Sequence, residues 1–542
     1  MACRALRSAI CHRHGGKLKT FIKSVAVITL FAVATRAIGF IFRIFLSRVL
    51  GAEMLGVYQI AMAFFMVFLT LVSSGLPLAI SKQVATKHAR GVITAGLVIS
   101  LAASCLVCLL VFAFRNLYGG LFTDARCIAI LIALIPSIIA ASVYSVIRAV
   151  WWGEKKFFLL GITELIEQIL RVIVFVIMLA LAFLFVDTAQ IAALSYTVAC
   201  FIGAAVVVII FIRTSRLTRE PCAFGVKTLK NTQYKPLLKS AAPITGVRLV
   251  ASITMPVISI LIPLRLIAAG WSQAAAIAAF GVLVGMTLPL LSIPQTVISS
   301  LSTALVPELS SAHKKLKDAD SSPGQAPYHK YRDVVHKQIQ NCLKFTLFIN
   351  FLLLPVFVSL GEGIGTFLYA DRTSGIYLAQ FAWAMIPMSL SQITNAILNS
   401  LGAETRAMKH YFIGSIVLFA AIWFLPPVIG ISALVVGLGA CMSIASLLNL
   451  MLITKLTKSP VATECTSCNF AASVISQCFL FTVVSVPAVL AGIFCHGVVQ
   501  HMFPLFIALG ISGIIAMGVF LVLCHLFKIV TIKNLRATLS ST

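Results

Sequence analysis

The chain has 542 residues, of which 60% are apolar and only 11% charged, with a mean hydropathy of +1.05. That excludes a soluble globular protein, which would lack the polar surface to cover itself. The formal net charge of +27 fits membrane topology and contact with anionic lipid; nucleic-acid binding is the weaker alternative, because the basic residues are spread over many short loops rather than gathered in one domain.

Residues 1–21 form a basic tail. The apolar segment that follows is too long for a signal peptide and carries Arg36, so it is expected to stay as a helix. Apolar runs long enough to cross a bilayer then recur along the chain. Fourteen are expected: 22–46, 56–80, 91–113, 128–150, 158–186, 189–212, 237–262, 275–303, 341–361, 376–400, 410–428, 430–454, 470–493 and 503–527. The expected fold class is therefore an all-α polytopic membrane protein. The loops that would lie inside with the N-terminus collect Lys and Arg, notably in 213–239 and 304–337. The opposite loops hold only Arg48, Arg115, Arg126, Arg265 and Arg372. This asymmetry places both termini in the cytoplasm.

The cysteines do not form a disulfide framework. Most sit in spans as small apolar fillers, and Cys465–Cys468 lacks further metal ligands at suitable spacing. No phosphate-binding GxxxxGK[ST] loop is present, and no metal or nucleophile constellation points to an enzyme. No metal or cofactor is expected.

Two halves share a faint order of motifs. GLPLAISKQVA with Pro77 is echoed by ALVPELSSA with Pro307. Ile135-Pro136 leading to WWGEKK is echoed by Ile386-Pro387 leading to LGAETR. Expected boundaries are an N-lobe at 22–212, a basic linker at 213–236, a C-lobe at 237–454 and two further helices at 455–527, with a cytoplasmic tail at 528–542. A polar loop at 310–337 is expected to be mobile. Pro243, Pro256 and Pro263 in the seventh span, and Pro289 and Pro294 in the eighth, predict kinks.

A few charges fall inside apolar runs, where each costs about 2.5–3.5 kcal/mol on the gentlest scale. Arg36 and Arg43 lie two turns apart on one helix face. Glu164, Glu167 and Arg171 follow an i, i+3, i+7 spacing, also one face, with Glu167 and Arg171 in the favourable i, i+4 order. Arg248 lies mid-way along the seventh span. Buried pairing explains some of these residues, but the arginines outnumber the acids. An unmatched guanidinium needs water or an anion, and its planar fork suits phosphate oxygens. Glu164 and Glu167 are candidates for pairing with arginine or for coupling to H+ or Na+.

The stretches Thr35–Ala61, Ser73–Lys82, Glu164–Val172, Met286–Ser310 and Ile397–Thr405 resemble the SpoVB/MurJ group of polysaccharide-type exporters. That group belongs to the multidrug/oligosaccharidyl-lipid/polysaccharide flippase superfamily. The resemblance covers roughly 21–455. It implies two six-helix lobes plus two C-terminal helices, alternating access and a polyprenyl-pyrophosphate sugar as substrate. Arg36 in TRAIGF matches a motif position, and Arg43 is one residue displaced from a second. The second span lacks an internal arginine, which leans toward SpoVB. Thr254, Met255 and Pro256 stand where an acidic residue would be expected.

The function expected is a flippase for a lipid-linked oligosaccharide, with lipid II of peptidoglycan biosynthesis as the leading substrate, in the bacterial cytoplasmic membrane. Arg36, Arg43, Arg171 and Arg248 are the expected pyrophosphate ligands. The expected partners are the lipid-linked glycan, membrane lipids and envelope-synthesis proteins. A cation-coupled multidrug antiporter of the same superfamily is the alternative. A non-transporting scaffold in envelope assembly is a third reading.

Overall fold

In the computed structural model of the chain, residues 2–85, 91–182, 187–217, 234–319, 326–457 and 470–527 are described. They contain helices and no strand. Ten of these helices are long and apolar enough to cross a membrane. Many large apolar side chains, such as Leu109, Leu181, Ile416 and Phe494, point outward, as expected where the solvent is lipid. Contacts divide the chain into two compact units. One is Met1–Leu264 with Gln273–Gly281; the other is Arg265–Ser272 with Val282–Thr542.

The first unit begins with α1 (Ala2–Ser73), which joins two expected spans. It is broken at Gly51, whose φ of 70° and ψ of 177° suit a residue without Cβ. There follow α2 (Gly75–Ala85), α3 (Val92–Ala113), α4 (Arg115–Gly119), α5 (Arg126–Leu134) and α6 (Ser137–Gly153). α7 (Phe157–Ala182), α8 (Thr188–Leu217) and α9 (Tyr234–Ser252) complete the set around the site. α10 (Thr254–Ala268) and α11 (Gln273–Phe280) come next.

Polar and small residues hold these helices together, because apolar burial gives little net gain between helices in lipid. Ser100 donates to the Ser142 carbonyl at 3.3 Å and Thr197 to the Ala133 carbonyl at 2.6 Å. A Cβ on Gly75 would lie 2.3 Å from the Ala241 carbonyl oxygen, so α9 packs directly against the start of α2. This packing accounts for a difference from the expected lobes. Residues 237–264, expected in the second lobe, cluster with the first unit. The central part of the expected linker, 218–233, lies outside the described residues, as does the Cys465–Cys468 pair.

Prolines mark interruptions. Pro256 falls in the first turn of α10, where no backbone N–H is required, and Pro263 falls inside it. A π-helical turn at Gly281–Thr287 precedes α12 (Leu288–Leu291), which carries Pro289 at its start.

The second unit continues with α13 (Ile293–Ala319), α14 (Ala326–Tyr369), α15 (Arg372–Phe381) and α16 (Met385–Ser400). It ends with α17 (Glu404–Phe424), α18 (Pro426–Ile429), α19 (Ser432–Thr457), α20 (Phe470–Val499) and α21 (Leu505–Leu526). The stretch expected as a mobile loop at 310–337 is mostly helix: α13 runs to Ala319 and α14 starts at Ala326. Its polarity conceals an apolar anchor, since Val335, like Ile339 one turn further on, is buried in the unit's core. A polar network crosses this unit as well. Asn449 donates to Asn395 at 2.9 Å and to Thr394 at 3.2 Å, and its carbonyl oxygen lies 2.8 Å from His410 Nδ1.

The two echoed motifs end their helices in the same way. α6 closes with Lys155 at φ 59°, the Lys156 N–H bonding to Trp151 O at 2.9 Å and the Lys155 N–H to Trp152 O at 3.2 Å. α16 closes with Gly402 at φ 73°, the Ala403 N–H bonding to Leu398 O at 2.9 Å and the Gly402 N–H to Asn399 O at 3.2 Å. Both are Schellman caps.

Candidate functional site

The site builds up from six helices of the first unit, α1, α2 and α6 to α9. The N-terminal part of α1 runs alongside α7. Phe31 stacks edge-on to Phe158 at 5.6 Å, Gly39 approaches Gln168, and Phe42 meets Phe175 at 5.5 Å. This register sets Arg36 level with Glu164 and Glu167, and Arg43 level with Arg171. Both α1 arginines are exposed. The buried phenol of Tyr58 lies within electrostatic reach of both Arg171 and Arg43.

On α7, Arg171 Nη2 donates to Glu167 Oε1 at 2.9 Å, the i, i+4 pair read from the spacing. Its guanidinium also lies over the Tyr196 ring of α8 at 4.8 Å. Glu164 is paired too, but its partner is Arg148 of α6, with Nη2 to Oε2 at 2.9 Å. Arg148 lies over the Tyr144 ring at 5.1 Å. Sequence reading did not single out Arg148 as a site residue. Its position four residues before Trp152, one turn inside a span that ends with a Schellman cap, was the signal that could have recovered it.

Arg248 arrives on α9. The chain breaks at Ser74 between α1 and α2, and Pro77 in the first turn of α2 has no N–H to offer. A carbonyl at this break is met from outside: Arg248 Nη1 donates to Ser74 O at 3.2 Å.

A cavity of about 530 Å³ opens among these helices. Tyr144, Arg148, Glu167, Tyr196 and Arg248 are among its lining residues. Arg36, Arg43, Glu164 and Arg171 are not part of that lining. Of the expected site residues the structure puts Arg248 and Glu167 on the cavity wall, adds Arg148, ties Arg171 and Glu164 to that wall through their ion pairs, and sets Arg36 and Arg43 along the neighbouring α1. Among the described residues no cluster of three or more His, Cys, Asp or Glu side chains could hold a metal ion. The chemistry available on the cavity wall is that of the Arg148 and Arg248 guanidinium groups, the Glu167 carboxylate and the Tyr144 and Tyr196 phenols, set in an otherwise largely apolar lining. Such a space can take an anion out of water without stripping its hydrogen bonds.

A second charged cluster lies away from this cavity. Arg126 pairs with Glu53 and, at 2.7 Å, with Asp124, while Gln273 donates to Thr123 O at 2.7 Å. Burial pushes the Asp124 carboxyl up, but hydrogen bonds from the Arg126 side chain and backbone outweigh it and hold the carboxyl below its ordinary value.

Residues 21–313 match the family described as Polysaccharide biosynthesis protein. Stage V sporulation protein B of Bacillus subtilis (strain 168) is 24% identical over 479 residues, covering 84% of this chain and 88% of that protein. The solved structure of the lipid II flippase MurJ in an inward closed conformation aligns with a TM-score of 0.63 and 15% identity, covering 92% of this chain and 98% of that one. An inward-facing multidrug resistance MATE family transporter of the MOP superfamily aligns with a TM-score of 0.57 and 14% identity, covering 80% and 96% of the two chains. At such identities the two structures speak for the fold alone. The family match spans more than half of the sequence and includes every helix around the cavity; this chain belongs to the polysaccharide biosynthesis protein family, on the fold shared by MurJ and the MATE transporters of the MOP superfamily.

Proposed function

We propose that the protein is a flippase for a lipid-linked oligosaccharide, a polyprenyl-pyrophosphate sugar for which lipid II is the leading candidate. It would work by alternating access in a bacterial cytoplasmic membrane, with both termini on the cytoplasmic side. The observation that carries this reading is the placement of Arg148 and Arg248 on the wall of one cavity, with Arg171 beside it, against the carboxylates of Glu164 and Glu167. A pyrophosphate headgroup supplies the missing negative charge. The family match and the fold shared with a lipid II flippase support the same direction. The glycan would travel in the cavity, its charges met by the arginines, while the polyprenyl tail stays in lipid between helices. With no phosphate-binding GxxxxGK[ST] loop in the sequence, the driving force would be an ion gradient, the substrate gradient or the membrane potential. The last is worth about 2.3 kcal/mol per charge per 100 mV.

The test is complementation of a conditional lipid II flippase mutant by the unaltered chain, Arg36→Ala, Arg148→Ala and Arg248→Ala, at matched protein levels. Rescue by the unaltered chain, lost in Arg148→Ala and Arg248→Ala, is the expected outcome. Rescue that survives all three changes would keep the transport class and remove the arginine site. Absence of rescue by a well-inserted chain would remove lipid II and turn attention to other lipid-linked glycans. Drug efflux would then test the antiporter reading, for which the cavity-lining Glu167 is the group that could receive a cation.

A further inference from the structure

The echoed motif WWGEKK holds two tryptophans with opposite surroundings. Trp151 is 1% exposed and packs against Phe211 of α8 at 6.2 Å. Trp152 is 56% exposed and lines the cavity. It extends the row Tyr144, Arg148, Trp152, whose i, i+4, i+8 spacing puts all three on one face of α6. The cap at Lys155 then turns the chain back, and Phe157 at the start of α7 meets the Trp152 indole edge-on at 6.0 Å. The indole is braced by this contact while more than half of the residue's surface stays open.

The polar groups on the cavity wall divide by what they can bond. Arg148 and Arg248 can only donate. Ser73, Ser81 and Ser145 also line the cavity, and each commits its one hydroxyl proton to a carbonyl of its own helix. The acceptors are Leu69 O at 2.6 Å, Leu78 O at 2.9 Å and Ser142 O at 2.9 Å. What remains on these hydroxyl oxygens is the capacity to accept. Ser81 stands beside the Trp152 end of α6, since a Cβ on Gly153 would lie 2.7 Å from the Ser81 carbonyl oxygen. A pyrophosphate diester brings acceptors alone and would use none of the serine oxygens. A pyranose brings hydroxyl donors around its rim and an apolar C–H face, which an indole receives through dispersion and weak C–H contacts.

We propose that Trp152 is the platform on which the first sugar of the substrate stacks, with Ser81 accepting a hydrogen bond from one sugar hydroxyl and Arg148 holding the adjoining phosphate. The inference rests on the reading of this cavity as a lipid-linked oligosaccharide site and assigns the place of the sugar within it. The spacing suits the chemistry. One turn separates Arg148 from Trp152, about 6 Å along the helix axis, a distance comparable with the width of a pyranose bonded directly to the phosphate. The wall then recognises the two parts of one molecule separately, charge at the arginine and ring at the indole. Stacking reads the C–H face of the ring, so a single pyranose is enough to probe it.

The test uses the purified full chain in detergent and two pyrophosphate diesters of equal charge, farnesyl methyl pyrophosphate and farnesyl-pyrophosphoryl-N-acetylglucosamine. Calorimetry gives a dissociation constant for each, and their ratio is the gain from the sugar. In the unaltered chain that gain should be about tenfold. Trp152→Ala should reduce it to less than about twofold. Trp152→Phe should keep part of the gain, because a smaller ring still stacks, and Ser81→Ala should lower it. Arg148→Ala should weaken both probes and leave the ratio in place. A tryptophan that served only to anchor the helix end in lipid would affect insertion or melting and leave the ratio of Trp152→Ala at the unaltered value; that result would overturn the platform. Equal binding of the two probes by the unaltered chain would also overturn it while the pyrophosphate reading stands. If the unaltered chain binds neither probe, the substrate reading of the cavity fails with it.

Discussion

Among single residues, the charges inside apolar runs were the most legible feature, and their partners were the least. The i, i+4 rule found Glu167–Arg171 because both lie on one helix. It could not find Arg148–Glu164, which depends on how α6 lies against α7. The two pairs should behave differently on mutation. Arg171→Ala strands Glu167 in a partly buried position, a loss of roughly 1–3 kcal/mol for a charged hydrogen-bonding group left alone. Adding Glu167→Gln removes the stranded charge, so the double variant should melt above the single Arg171→Ala variant in detergent. Simple additivity of the two single changes would show that the pair carries no coupling.

The Asp124 cluster supplies a prediction about pH. The folded chain binds the Asp124 proton less tightly than an unfolded chain does. The stabilisation is therefore complete above the ordinary Asp value of about 3.9 and is lost as pH falls through the lower native value. Thermal unfolding followed from pH 6 down to pH 3 should show acid destabilisation that is shallower in Asp124→Asn. An unchanged slope in that variant would remove this carboxylate from the account.

At the level of whole helices, periodicity and apolar runs located the elements of the first unit well, because lipid demands long uninterrupted spans. They misjudged α13 and α14 within 310–337, where the described residues up to Ala319 and from Ala326 are helical despite their polar sequence, with Val335 buried in the core. The repeated ends of α6 and α16 show a similar limit. The motif pairing matched WWGEKK with LGAETR without fixing their register, whereas the caps equate Lys155 with Gly402, since those two residues adopt positive φ. A backbone position of this kind favours glycine. Lys155→Gly should therefore stabilise the chain by about 1 kcal/mol, and Gly402→Ala should destabilise it by a similar amount. No atom lies within 4 Å of a Cβ built on Gly402, so the cost would come from the backbone and not from a clash. Opposite shifts in melting temperature would support this equivalence, and a stabilising Gly402→Ala would refute it.

Over the molecule as a whole, the sequence pattern separated α20 and α21 from a twelve-helix body, because the motif repeat ends before them. Contact in three dimensions gives them another standing. Phe481 of α20 stacks on Phe351 of α14 at 5.5 Å and on Phe520 of α21 at 6.2 Å, and Phe520 lies 6.2 Å from Phe348. Phe481 and Phe520 are only 1% and 0% exposed. They belong to the same core cluster as Ile393 and Ile397 of α16 and Leu450 of α19. No motif could announce this, since packing between apolar helices in lipid depends on shape and leaves little pattern in composition. A chain ended after Thr457 should therefore be damaged in its second unit and not merely shortened. Removal of Phe481 and Phe520 leaves Phe348 and Phe351 without their ring partners, and a Phe→Ala change in a packed core alone costs about 3–5 kcal/mol. The truncated chain should lose its single melting transition or insert at a much reduced level. Phe481→Ala in the full-length chain should lower the melting temperature while leaving the first-unit cavity and pyrophosphate binding intact. A truncated chain that melts like the full-length protein would show that α20 and α21 are an appendage after all.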